Sequence, residues 1–357
     1  MPSQPERVLE TVGGPLRLPA FLPDATRAVV RCVDSADLAA AGVQGLVACA
    51  FHLARRPGTQ VLRAAGGLHE FMGWRRPVLL DSGGFQVFSL LRDSPKLGRV
   101  TKQGFQYRRE AGEPRKLLTP EKCVRQQLRM GADAVVCLDH CTHGEAPAEV
   151  QRRSVEHTIA WARRGREEFQ RLAGDRPGRP MLFAVVQGGR DPDLRRRCAE
   201  ALLEIGFDGY AFGGWPITGD NELSEMVHLT AELLAGRGPL WALGIGKPEH
   251  VVTAAGLGYD LLDCVIPTRD ARHRRLYVWR DEPAAGARFY EQLYIQDERH
   301  TRDAGAVDAT CDCACCREYS RGYLHHLFHI GDALASRLAT IHNLRFYTRL
   351  MAHLRGE

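Results

Sequence analysis

Apolar residues in this chain gather into short unbroken runs, and each run ends on a polar side chain or on glycine at a turn. RRPVLL (75–80) leads into Asp81-Ser82-Gly83-Gly84, and ADAVVCL (132–138) into Asp139-His140-Cys141. MLFAVV (181–186) leads into Gln187-Gly188-Gly189, and FDGYAF (207–212) into Gly213-Gly214-Trp215. PLWAL (239–243) precedes Gly244-Ile245-Gly246-Lys247, and YDLL (259–262) precedes Asp263-Cys264. The runs are rich in Val, Leu and aromatics and do not alternate, which predicts strands buried on both faces. Helical patterns separate them. TPEKCVRQQLRMG offers Thr119 as N-cap, Pro120 at the first helical position and Gly131 as the stop. DLRRRCAEALLEIG (193–206) and ELSEMVHLTAELLAG (222–236) are two more.

Strands alternating with helices predict βαβ units and a largely parallel sheet. Polar residues gathered just past the strand ends predict one functional face, which in a (β/α)8 barrel is the C-terminal one. The rival is a doubly wound open sheet, but no glycine-rich phosphate fingerprint follows the first strand. A single aspartate after a strand is commonly a helix cap. Asp81, Asp139, Gln187 and Asp263 together, converging on one barrel face, make a site.

The 357 residues, 44% hydrophobic and 25% charged, suffice for one large core or two ordinary ones. No run reaches the length of a membrane span. The N-terminal stretch MPSQPERVLETVGGP lacks the basic-then-apolar order of a secretory signal, so residence in the cytoplasm is expected. The net charge of +5 is mild, but TRDARHRR (268–275) concentrates four arginines and a histidine. Such a stretch is either a solvated face or a polyanion contact.

Of eleven cysteines, seven are scattered and read as small apolar residues in a reducing compartment. The other four fall in CDCACC (311–316). Cys311, Cys313 and Cys316 have the spacing C-x-C-x-x-C, which lets thiolates wrap one ion, leaving Cys315 a spectator. The long helical stretch that follows offers His325, His326, His329 and His342 as a fourth ligand. Three sulfurs and a nitrogen would leave no open position, hence a structural zinc. A redox pair and incidental thiols are the alternatives.

From GPLRLPAFLP (14–23) to LRFYTRLM (344–351) the chain resembles the tRNA-guanine transglycosylase family, bacterial type. The matching motifs are GGLHEFMGWRRPVLLDSGGFQVFSL (66–90), GFDGYAFGG (206–214), LGIGKPEH (243–250), LDCVIPTR (262–269) and CDCACC with its downstream IHN. The resemblance implies an irregular (β/α)8 TIM barrel over residues 1–300 and a zinc-binding subdomain with a C-terminal helix over 301–357. It implies exchange of guanine at the anticodon wobble position of tRNA for a 7-deazaguanine, with tRNA and the free base as partners and a homodimer as the assembly.

Position by position, Asp263 matches the family nucleophile and Asp81 its general acid/base. Asp139, Gln187, Gly214, Phe85 and Cys141 match the base pocket. Arg269, Arg272, Lys247 and Arg31 match RNA-contacting positions. Cys311, Cys313, Cys316 and His342 match the ligands of one zinc ion. The chemistry suits those residue types. A carboxylate can capture the anomeric carbon as a base leaves, and a second acid manages the proton. The chain departs from the family pattern in recognition. GGWPITGD (213–220) brings Trp215 and Pro216 where small residues are usual and shifts an acidic residue to Asp220. His140 stands where a glutamate is usual.

Overall fold

The computed structural model describes residues 7–175 and 177–357; the first six residues of the stretch read for a secretory signal lie outside it. Eight parallel strands form the centre: β1 (Ala20–Pro23), β2 (Leu46–Cys49), β3 (Val78–Asp81), β4 (Ala134–Val136), β5 (Met181–Val186), β6 (Gly209–Phe212), β7 (Leu240–Ala242) and β8 (Leu261–Cys264). Around the sheet they run β1-β8-β7-β6-β5-β4-β3-β2. A parallel bridge between Asp24 and Val47, with Ala25 N–H donating to the Val47 carbonyl at 2.6 Å, brings β2 back to β1. That contact nearly closes the sheet into a barrel, as the strand–helix alternation predicts, and excludes the open doubly wound sheet.

The unbroken apolar runs have a direct cause. In β5, Phe183 and Val185 point into the barrel, where they meet Leu22, Leu79, Val136 and Trp241. Ala184 and Val186 point outward against the helical layer. Each strand is thus covered on both faces, and nothing selects for alternation. The capped helix runs Pro120–Met130, with the Thr119 side chain accepting from Lys122 N–H and Gly131 in the left-handed region. The other two expected helices run Pro192–Ile205, capped by Asp191, and Glu225–Leu234, capped by Ser224. The latter starts late because Leu223 is engaged in a bridge with Ile217.

Two features differ from expectation. The first two strands carry no strong signal in the pattern. β1 is bounded by prolines, and β2 runs without a polar stop into the helix Ala50–Leu53. The C-terminal helical stretch is broken into Arg321–His329 and Ala333–Leu354. Gly331 turns left-handed at φ 72° and Asp332 caps the new helix through Leu334 N–H.

The last helix packs across both layers: Leu338 and Leu344 join the core beneath β2, and Phe346, Tyr347 and Leu350 join the core around β6 to β8. Among the described residues, no helix is long and apolar enough to cross a membrane.

Candidate functional site

The C-terminal ends of the strands surround a cavity of about 410 Å³. Asp81 closes β3, Asp263 lies near the end of β8, and Asp139, Gln187 and Gly214 follow β4, β5 and β6. All five line the cavity, together with Phe85 and Cys141. The turn at Asp81-Ser82-Gly83-Gly84 needs its glycines. Gly83 has φ 87°, and a Cβ there would lie 2.3 Å from Cβ of Phe51. A Cβ on Gly84 would lie 2.5 Å from Oδ1 of Asp139. The backbone therefore passes close beside the neighbouring carboxyl group.

The carboxyls are held against their preference for water. Burial pushes Asp263 up to about 7; Trp241 Nε1–H, at 2.8 Å from Oδ1, and Gly244 N–H oppose this, while the charges of Asp81 and Asp24 add to it. Burial likewise raises Asp139 to about 7, against a 2.7 Å hydrogen bond from Gln187 Nε2–H. Asp81 is raised by burial too, against hydrogen bonds from the Gly83 backbone and the Gln86 side chain. Gln187 spends its amide N–H on Asp139, and its Oε1 is buried with no hydrogen-bond partner among the described residues. The pair thus presents acceptors to an entering N–H-bearing ring.

Arg195, fully buried, holds this wall in place. Its guanidinium donates to the carbonyls of Val186, Gly189 and Gly213 and stacks 4.6 Å from the Phe212 ring. Sequence reasoning did not single it out. The signal was there: Arg195 shares the buried helix stripe of Cys198, Ala199 and Leu202. Asp24, Gln86 and Trp241 were missed as well. Asp24 follows the short run AFLP much as Asp81 follows its own run.

The departing residues have distinct fates. Trp215 lines the cavity, donates from Nε1 to the Thr142 carbonyl at 3.1 Å, and meets Phe85 edge-on at 5.9 Å and His143 at 4.9 Å. Asp220 is exposed, bonded to Thr218, and outside the cavity lining. His140 turns away to stack on His157, beside Trp161, where burial pulls it down to about 3 and keeps it neutral.

Of the four basic positions, three gather. Arg269 and Arg272 sit on the helix Ile266–Arg272 directly after β8. Arg272 is lowered by burial and by the charges of Arg31 and Arg269, which puts the three guanidinium groups within electrostatic reach of one another. Lys247 directly precedes the helix after β7 and is bonded through its side chain to the Asn221 side chain.

In the C-terminal segment, the ligand atoms of Cys311, Cys313, Cys316 and His342 all lie within 4.8 Å of one another, and all four residues are buried. The histidine left open among four by spacing alone is thus His342. Its Nε2–H donates to the Tyr277 carbonyl at 2.7 Å, which leaves Nδ1 as the lone pair facing Cys316 Sγ at 3.2 Å and Cys313 Sγ at 3.8 Å. Three thiols and one oriented imidazole could hold one metal ion with no position left over. The adjoining Asn343 uses its whole amide: Nδ2 donates to the Pro267 and Arg275 carbonyls at 3.0 Å, and Oδ1 accepts from Tyr277 N–H. The helix carrying His342 is thereby tied to the helix carrying Arg269 and Arg272.

The family description "Queuine tRNA-ribosyltransferase" matches residues 7–357. Curated proteins of that name are similar along nearly the whole chain. One from Novosphingobium aromaticivorans is 38% identical over 349 residues, covering 98% of this chain and 89% of its own. One from Thioalkalivibrio sulfidiphilus is 41% identical over 345 residues, covering 96% and 87%. One from Shewanella oneidensis is 39% identical over 345 residues, again covering 96% and 87%.

Proposed function

Because this chain belongs to the queuine tRNA-ribosyltransferase family, we propose that it is a tRNA-guanine transglycosylase that exchanges guanine at the wobble position of a tRNA anticodon for a 7-deazaguanine, through a covalent ribosyl–aspartate. The observation that carries the mechanism is the gathering of Asp263, Asp81, Asp139 and Gln187 around one cavity of about 410 Å³, large enough for a nucleobase with its ribose.

A carboxylate oxygen of Asp263 attacks C1′ of the ribose, and the C1′–N bond breaks with its electron pair going to guanine. Asp81, whose affinity for a proton burial raises, gives the departing base its proton. The incoming base returns a proton to Asp81 while its ring nitrogen displaces Asp263. One glycosidic bond replaces another, so no energy source is consumed. Trp241 and Gly244 fix Oδ1 of Asp263, and Oδ2 has no hydrogen-bond partner among the described residues. Asp139 and the unpartnered Oε1 of Gln187 accept from the purine N–H groups, with Gly214, Phe85 and Cys141 as the remaining walls. Arg31, Arg269 and Arg272 grip phosphates beside the flipped nucleotide, and Lys247 contacts the same loop from the β7 side.

Cys311, Cys313, Cys316 and His342 hold one structural zinc ion, to which the donor set is suited. The reading includes a homodimer, tested by sedimentation velocity, and residence in the cytoplasm, tested by fractionation. The enzymatic test is incorporation of base-labelled guanine into tRNA by the purified protein without nucleotide triphosphate. Absence of label from tRNA contradicts it.

A further inference from the structure

The cavity holds a fourth carboxyl group to which the mechanism gives no work. Asp24 follows β1 and lines the same cavity as Asp81, Asp139 and Asp263. Its place around the rim is informative. The base-reading residues follow β4, β5 and β6. Asp263 belongs to β8, which pairs with β1 in the register Asp263 to Leu22, and Asp24 lies two residues beyond Leu22. On its other flank Asp24 bridges Val47 of β2, and β2 pairs with β3 so that Cys49 faces Asp81. Asp24 therefore stands between the nucleophile and the acid, on the half of the mouth away from Gln187. Its charge is felt by Asp263, which places the two groups in electrostatic reach.

The side chain is held ready. Asp24 Oδ1 accepts from the Thr26 backbone N–H at 3.1 Å and from the Thr26 hydroxyl. Oδ2 has no hydrogen-bond partner among the described residues. The half of the cavity that holds the nucleophile must also hold the ribose. Within a polymer both the 3′ and 5′ oxygens of that ribose are esterified, so its one free hydroxyl is the 2′-OH. A carboxylate is an acceptor-only group and suits such a donor.

Resting on the transglycosylase reading, we propose that Asp24 accepts a hydrogen bond from the 2′-hydroxyl of the target ribose and makes the enzyme select RNA over DNA at that nucleotide. Such a bond also strengthens as positive charge develops on the sugar, so the selection falls on the chemical step as well as on binding.

The test uses the full chain with its metal and two anticodon stem-loops that differ only in ribose or 2′-deoxyribose at the exchanged nucleotide. Wild type is expected to prefer the ribose substrate by at least about tenfold in kcat/KM. Asp24→Ala is expected to lower the rate on the ribose substrate by about 10- to 100-fold and to bring the preference close to one. Asp24→Asn preserves the shape of the Thr26 turn and should give an intermediate preference, which keeps the test intact where the alanine variant folds poorly. A wild-type preference that persists in both variants overturns the proposal, as does a wild type with no preference. A wild type that exchanges guanine on neither substrate overturns the transglycosylase reading itself, and this proposal with it.

Discussion

The barrel mouth and the cysteine centre treat polar groups in opposite ways. At the mouth, carboxyls are buried where burial penalises their charge, and the Oε1 of Gln187 is buried with no partner among the described residues. At the cysteine centre, three thiols face one imidazole whose far nitrogen is already spent on a carbonyl, and the next residue satisfies three backbone groups at once. The mouth carries unmet demand that an entering molecule can satisfy. The centre converges on itself, with no outward-facing position. The first arrangement suits chemistry and the second suits holding elements together, even though both are built from titratable side chains.

The sharpest way to break this contrast is Asp263→Asn. Exchange should fall by about 10³-fold or more, since the amide cannot form the ribosyl ester. Stability should move the other way. The folded-state value near 7 lies above the ordinary 3.8, so the native state binds the extra proton between those limits. Wild type therefore loses stability as pH rises from about 4 to about 7. The variant escapes that loss, and at pH 8 should unfold about 1–3 kcal/mol later, a gain that vanishes towards pH 4. Denaturant melts at the two pH values check it.

At the cysteine centre the sign reverses. Cys313→Ala should release the metal and cost several kcal/mol at neutral pH, because a structural ion contributes its binding energy to folding, and the difference should shrink in acid as protons displace the ion from wild type. Metal analysis and melting measure this. Asn343→Ala is expected to be smaller, about 2–4 kcal/mol, from the backbone groups it orphans. It should also raise KM for tRNA more than it lowers kcat, because it loosens the helix of Arg269 and Arg272. Trp215→Leu should be the mildest: about 2- to 5-fold on guanine exchange, with little change in stability, since Trp215 is only partly buried at the cavity rim.

The contrast also explains what could be read from the sequence. Six barrel strands were legible because burial on both faces writes an unbroken apolar run, and the cysteine spacing was legible because three of the four clustered side chains lie close in the chain. Asp81, Asp139, Gln187 and Asp263 stood out as polar stops on such runs. Asp24 did not, because its run AFLP is framed by prolines, which interrupt the apolar pattern on both sides. Arg195 was hidden inside a helix, where only its position on the buried stripe distinguishes it from Arg196 and Arg197. The choice of His342 among four histidines depended on which helix face returns to the cysteines. Spacing alone does not carry that, and it was the family resemblance that selected it. The fate of His140 depended on a stack with His157 formed across a turn of packing.

The central claim is that Asp263 carries the ribose during exchange. The most direct measurement is an acid quench of enzyme with its stem-loop during turnover, followed by mass mapping of the protein–RNA adduct. The account predicts an adduct on the peptide containing Asp263, lost in Asp263→Asn and accumulating when free base is withheld. An adduct mapped to Asp81 or Asp24, or brisk exchange by Asp263→Asn, would contradict it.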